Sequence, residues 1–206
     1  MTAPRGLSGA TFAGVPPGVA RRIDDLDRVV DEVFDRWRGH PMADRLFYGA
    51  SALGDHGLLW LMLCAARGMR SERDLRFALR AAVAVGIESA VVNVGIKALF
   101  QRRRPESAGQ RPLPLRLPRT SSFPSGHATS AFCAAGLLSE EDPLRPLYYA
   151  AALIVAWSRV YVRIHHASDV IGGMAIGVAF GRLGRRLAPL SSPRRGVAES
   201  QTASAG

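Results

Sequence analysis

Apolar residues follow two different rhythms along this chain. Between Ala20 and Gly39, Ile23, Leu26, Val30, Val33, Phe34 and Trp37 return at three- and four-residue steps, with Asp and Arg between them. That spacing puts the apolar side chains on one face of a helix too charged to cross a bilayer. Beyond it the apolar residues run together. Leu46–Ala66 is interrupted only by Asp55-His56, and Ala81–Phe100 carries Glu88, Asn93 and Lys97. Both reach the roughly twenty mostly apolar residues that a span needs. Ser125–Leu138, Leu147–Val162 and Val170–Phe180 are shorter runs of the same character. All five are rich in Ala, Val, Gly and Leu, as close-packed membrane helices are. The predicted fold class is all-α, a multi-span membrane helical bundle with about five transmembrane helices plus an N-terminal amphipathic helix.

Boundaries follow from the same pattern. Residues 1–20 and 188–206 have the composition of disordered ends. Residues 21–40 hold the amphipathic helix, and 41–187 the membrane-embedded domain. An Arg-rich stretch (67–80), a Pro/Arg-rich loop (102–123) and a short acidic turn (139–146) separate the apolar runs. The first twenty residues lack a continuous apolar core, so no leader segment is expected. If the five runs alternate in direction, Lys97, Arg104, His127, Ser158, Arg159, His165 and Asp169 all fall at one face of the bundle.

Charge narrows the function classes. A net charge of +10 permits nucleic acid, a membrane surface or an anionic substrate. No zinc-finger spacing, aromatic RNA-binding motif or helix-turn-helix pattern is present, so no nucleic-acid partner is expected. Cys64 and Cys133 lie far apart in apolar runs and read as small core hydrophobes. Five histidines are few for a zinc cluster. Lys97 is the only lysine, kept inside an apolar run of a chain whose other fixed cations are arginines. That placement suits a site needing a compact ammonium.

The residues predicted to converge can hold and cleave a phosphate. Lys97, Arg104 and Arg159 supply fixed positive charge, with Arg forks suited to two oxygens each. Pro124-Ser125-Gly126 before an apolar run reads as a helix start. There Ser125 adds a hydroxyl, and Gly126 lets free backbone N–H groups approach an oxyanion. His165 and Asp169 are four apart and share a helix face. An Asp accepting from one ring nitrogen leaves the other basic and aimed. His127, from another helix start, can stand opposite, so that one histidine attacks phosphorus while the other protonates the leaving oxygen. No metal and no cofactor is expected, because the cations supply the electrostatics. Arg102 and Arg103 read as a charge cluster beside the membrane, and His166 as a bystander about 100° around the helix. Asp55, His56, Glu88 and Asn93 read equally as intramembrane functional groups or as interior hydrogen bonders.

Lys97 with Arg104-Pro105, Pro124-Ser125-Gly126-His127, and Ser158-Arg159 with His165 and Asp169 together resemble the signature of the type-2 phosphatidic acid phosphatase family. Its lipid phosphatases share their site with vanadium haloperoxidases and bacterial non-specific acid phosphatases. Every fixed position of the signature is matched, over residues 97–169. The resemblance implies that His165 is the nucleophile, His127 the general acid and Asp169 the residue orienting His165. Lys97, Arg104, Ser125, Gly126 and Arg159 would bind phosphate. It also implies a helical bundle with the site near the outer membrane–water interface. The family's membrane enzymes commonly have six spans, against five runs plus the amphipathic helix in this chain.

The leading expectation is an integral-membrane lipid phosphatase, acting on a polyprenyl or glycerolipid mono- or diphosphate. Its Ala/Arg-rich composition fits a GC-rich bacterium, and the protein is placed in the plasma membrane with the site facing out of the cytoplasm. Fifteen arginines on the active face against eleven on the other do not decide that orientation. A homodimer is left open. A haloperoxidase or soluble acid phosphatase would use the same site, but the apolar runs argue against it. A silent lipid-binding protein would be expected to have lost His127, His165 or Asp169.

Overall fold

The computed structural model describes residues 15–106, 115 and 120–190, and among these every regular element is helical. Helix α1 (Pro17–Asp35) starts on a proline, whose missing N–H has no helical partner at that position anyway. It begins three residues before the apolar rhythm. Val30 and Phe34 pack on the cluster around Ala156 and Val160. Leu26, Val33 and Trp37, from the same predicted apolar face, are exposed, while Asp27 is buried. The apolar stripe therefore divides between the bundle and its surroundings.

The run Leu46–Ala66 is not one helix. Helix α2 (Pro41–Leu53) ends at Gly54, and α3 (Leu58–Gly68) starts after a single 3-10 turn, Asp55–Gly57. His56 (φ 56°) and Gly57 (φ 71°) are both left-handed there, which no continuing right-handed helix permits. Helix α4 (Glu72–Ala90) starts nine residues before the apolar run Ala81–Phe100. Ser71 caps it by accepting the Asp74 backbone N–H at 3.0 Å. The helical path then widens into a π turn (Val91–Gly95) and tightens into a 3-10 turn (Ile96–Leu99), which carries Lys97. Glu72–Leu99 is the one run among the described residues long and apolar enough to cross a membrane. Helix α3 has 11 residues and α5 (Gly126–Leu138) has 13, shorter than a straight span requires.

Helix α5 is the centre of the molecule. Ala128, Ala131, Cys133, Ala134, Ala135, Leu137 and Leu138 are fully enclosed. Helices α6 (Arg145–Tyr161) and α7 (Ala167–Leu187) complete the bundle around it. Both cysteines are free and buried, as their apolar settings suggest. At the end of α5 remote from Gly126, the Arg67 guanidinium donates to the carbonyls of Leu138 (2.6 Å) and Glu140 (2.9 Å) and to Asp74 (3.0 Å). The Arg-rich stretch 67–80 is thus mostly helix, and Arg67 is a buried tie between α3, α4 and the end of α5.

A glycine stripe sets how closely α7 lies on α5. Gly173, Gly177 and Gly181 recur every four residues and so share one side of α7. A Cβ at Gly177 would stand 2.3 Å from the Thr129 carbonyl oxygen, and one at Gly173 2.7 Å from that of Ser125. Backbone atoms cannot rotate away, so the helices would have to separate. Gly177→Ala is therefore expected to destabilise the bundle by about 1–3 kcal/mol. Thermal unfolding in detergent would register this as a lower midpoint, and an unchanged midpoint would contradict the packing described.

Candidate active site

The eight predicted site residues lie at one end of the bundle. Lys97 hangs from the 3-10 turn after α4, and Arg104 lies in the loop beyond it. Ser125, Gly126 and His127 open α5, Arg159 lies in the last turn of α6, His165 sits in the α6–α7 connection, and Asp169 is in the first turn of α7. Backbone bonds lock these segments together. The Ser125 N–H donates to the Asp169 carbonyl at 3.1 Å, and the His165 N–H to the Arg159 carbonyl at 3.1 Å. Lys97 lies within electrostatic reach of Arg104, Arg159 and Asp169. A Cβ on Gly126 would be 3.6 Å from Lys97 Nζ. The absent side chain at 126 thus leaves the start of α5 open toward the ammonium.

His165 is enclosed and held from both sides. Arg104 Nη1 lies 3.2 Å from His165 Nε2 and donates to the Ile164 carbonyl at 3.0 Å. An arginine can only donate, so Nε2 accepts and the ring proton is assigned to Nδ1. On that side Asp169 Oδ2 is 3.6 Å from Nδ1, an ion-pair distance too long for a hydrogen bond. Ser122 fills the gap. Its fully buried hydroxyl donates to Asp169 Oδ2 at 2.6 Å and lies 3.4 Å from His165 Nδ1. The same Oδ2 accepts the His166 backbone N–H at 2.9 Å. Asp169 therefore faces the ring as an ion-pair partner and not, as expected, as a direct hydrogen-bond acceptor, with the Ser122 hydroxyl beside both.

Burial is the main force on the His165 ring, drawing its pKa down to about 3, with Asp169 opposing and the nearby guanidinium charges reinforcing. The neutral ring, which is the nucleophilic form, persists across the physiological range. An unfolded imidazole takes up its proton near pH 6.5. Between there and pH 3 the unfolded chain binds a proton that the folded ring refuses, so this contribution to stability is lost as pH falls. Nitrogen-15 NMR of labelled histidine is expected to find the His165 ring neutral at pH 5. A ring titrating near 6.5 would contradict that.

His127 shares with His165 the field of the Arg159 guanidinium. Asp55 Oδ1 lies 3.0 Å from His127 Nε2, brought there by the break between α2 and α3. The Ser51 backbone bonds the same ring, and the Ser51 hydroxyl receives Arg159 Nη1. The Asp55-His56 interruption of an apolar run was the signal for this helix break, and of its two residues Asp55 reaches the site. Ser51 and Ser122 gave no signal in the sequence. Arg102 corrects the reading as a charge cluster beside the membrane. Its side chain is wholly buried, and Nη1 donates to Asp169 Oδ1 at 2.5 Å. His166 is the N-cap of α7: its ring accepts the Asp169 backbone N–H while its own backbone N–H donates to the Asp169 carboxylate, so the ring read as a bystander takes part in a capping box.

Two buried donors face this end without a partner among the described residues, Ser125 Oγ and Arg104 Nε. Buried polar atoms left unbonded are rare, and a bound anion would satisfy both. No group of three or more metal-ligating side chains occurs among the described residues. The arrangement is a cationic cradle around two imidazoles, suited to transferring a phosphoryl group to nitrogen.

Comparison with known proteins leads to phosphatases. The family model of the PAP2 superfamily matches residues 77–191. The decaprenylphosphoryl-5-phosphoribose phosphatase of Mycobacterium tuberculosis (strain H37Rv) is 33% identical over 135 residues, covering 66% of this chain and 75% of that protein. Phosphatidylglycerophosphatase B of Bacillus subtilis is 30% identical over 154 residues, covering 69% and 71%. Among solved structures, the transmembrane PAP2-type phosphatidylglycerolphosphate phosphatase of Bacillus subtilis superposes with a TM-score of 0.62 at 22% identity. That match covers 84% of this chain and 90% of the other. The chain belongs to the PAP2 superfamily.

Proposed function

We infer that the protein is an integral-membrane lipid phosphatase of a bacterium, cleaving a lipid mono- or diphosphate through a phosphohistidine. The observation that carries this reading is the His165 ring, with its proton held on Nδ1 by the Ser122–Asp169 pair and its Nε2 turned to Arg104. A phosphoryl group held by Arg104, Lys97, Arg159 and the Ser125–Gly126 helix start arrives where Nε2 points. The Nε2 lone pair then forms a bond to phosphorus as the bond to the leaving oxygen breaks, and His127 Nε2 turns its proton from Asp55 to that oxygen. Water attacks the phosphohistidine next, giving its proton to His127, and inorganic phosphate leaves. The cations offset the charge that develops on the equatorial oxygens, so no metal takes part in these steps.

A membrane setting is supported by the outer face of the α4 run. Leu79, Val83, Ile87 and Val94 are 57–78% exposed. Such a stripe on the one long apolar run suits lipid contact. We read the bundle as membrane-embedded with the α4 run crossing, the site facing out of the cytoplasm and α1 at the interface. The two relatives, named for decaprenylphosphoryl-5-phosphoribose and phosphatidylglycerophosphate, support polyprenyl and glycerolipid phosphates as the substrate classes. The test is phosphate release by the detergent-purified protein from both lipid classes in excess chelator. Release that persists in chelator and is inhibited by orthovanadate, a mimic of the five-coordinate transition state, is expected. Absence of release from every lipid phosphate, or strict magnesium dependence, would overturn the reading.

A further inference from the structure

Helix α1 lies outside all three sequence patterns, yet one of its carboxylates reaches the site. Asp27 is buried on the inner face of α1, with 7% of its surface exposed. Its Oδ2 accepts from Arg102 Nη2 at 2.6 Å and from the Ser168 hydroxyl at 2.8 Å. Its Oδ1 accepts the Ser168 backbone N–H at 2.7 Å. Arg102 Nη1 in turn donates to the Ser168 hydroxyl at 2.7 Å and to Asp169 Oδ1 at 2.5 Å. A continuous buried chain therefore runs from Asp27 through Arg102 and Asp169 to Ser122 and His165.

The order of charges matters. Buried ions persist only when paired, and here one guanidinium is divided between two carboxylates. With Asp27 holding one fork of Arg102, only the other fork addresses Asp169, and it addresses Oδ1. Oδ2 stays available to Ser122 and to the His165 side. Without Asp27, the full arginine charge would fall on Asp169 and draw its carboxylate away from the histidine. Asp27 also accepts at the N-terminal turn of α7, where a carboxylate is favoured by the free N–H groups and the helix dipole. That bond fixes the turn from which Asp169 projects.

Resting on the phosphohistidine reading above, we propose that Asp27 and Arg102 are positioning residues of this site and that α1 is a working part of the enzyme. They touch neither substrate nor reacting atoms. They act through Asp169, as partners behind a ligating or nucleophilic histidine commonly do. Arg102 lies two residues before the motif arginine Arg104, so the same loop delivers a phosphate binder and the tie to α1.

The test is a double-mutant cycle on lipid phosphate hydrolysis with Asp27→Asn, Asp169→Asn and both together. Thermal unfolding and elution volume in detergent are measured alongside. Asp27→Asn is expected to lower kcat about 10–100-fold with KM changed less than about twofold. In the Asp169→Asn background it is expected to add less than about a further twofold loss, because the group it acts through is already changed. Loss that multiplies fully onto Asp169→Asn, or wild-type kcat in D27N, would overturn the positioning role while leaving the phosphatase reading intact. A wild-type protein that hydrolyses no lipid phosphate would overturn that reading and the proposal with it. If D27N does not purify as a folded species, Arg102→Lys enters the same cycle. It keeps a cation but loses the planar fork that sets one Nη on each carboxylate, so the same loss and non-additivity are expected.

Discussion

Replacing His165 with alanine is expected to lower lipid phosphate hydrolysis by about 10³-fold or more while the protein still elutes and unfolds like the parent. The size of the loss follows from the role. Without the ring no nitrogen stands where Arg104 presents the phosphoryl group, and water would have to attack directly, with only the cationic cradle to help. The small structural effect follows from how the ring is held. The Asp169 carboxylate keeps Arg102, Ser122 and the His166 N–H when the imidazole goes. The connection keeps its backbone bonds to Arg159 as well. Vanadate, which needs the nitrogen to complete its five-coordinate geometry, should bind the variant much more weakly than inorganic phosphate binding alone would suggest. Full activity in His165→Ala would remove this residue from the chemistry.

His127→Ala should separate substrates by their leaving group. An alkoxide leaving from a lipid monophosphate needs a proton as the P–O bond breaks, and a placed acid contributes about 10²–10⁴-fold there. A lipid diphosphate expels a phosphate oxygen that already carries charge comfortably and needs little protonation. Formation of the phosphohistidine should therefore fall steeply for monophosphates and modestly for diphosphates or for a p-nitrophenyl ester. Its hydrolysis should slow for all of them, since in the proposed mechanism His127 is also the base that activates water. Single-turnover kinetics on matched mono- and diphosphate substrates would distinguish the two steps. Equal losses in the first step for every leaving group would contradict the acid role of His127.

The candidate site was readable in the sequence to the extent that each member carries its own chemistry. Lys97, Arg104, His127, Arg159, His165 and Asp169 fall into three short patterns, and alternating helices were enough to place them at one end. What surrounds them was not readable. Ser122 and Ser51 are ordinary loop and helix residues by sequence, and only the fold brings Ser122 between His165 and Asp169 or Ser51 onto Arg159. Arg102 looked like its neighbour Arg103, yet it is buried against Asp169 while Arg103 is exposed. Residue type cannot separate two adjacent arginines when burial depends on the turn of a loop. Asp27 was hidden for the opposite reason. A helix face drawn from apolar spacing counts a carboxylate as outward-facing, and nothing local reveals that a cation and a helix N-terminus await it inside.

Helix limits failed in an equally physical way. Hydropathy reports how apolar a segment is, not whether its backbone is straight. Leu46–Ala66 is apolar throughout, and the left-handed residues His56 and Gly57 still fold it into two helices. Helix α4 extends well beyond its apolar part because Ser71 caps it and the Arg67–Asp74 tie secures its first turns. Asp169 and the arginines Arg182, Arg185 and Arg186 bound the predicted run, although α7 continues as helix past both limits.

The most direct test of the account is to identify the phosphorylated atom. The His127→Ala protein, in which breakdown of the intermediate is expected to slow, would be mixed with a labelled lipid diphosphate, quenched in base and digested for mass spectrometry. A base-stable, acid-labile phosphoryl group is expected on His165, absent when His165→Ala is added. Turnover with no protein-bound phosphate at any quench time, or a phosphoryl group on another residue, would contradict it.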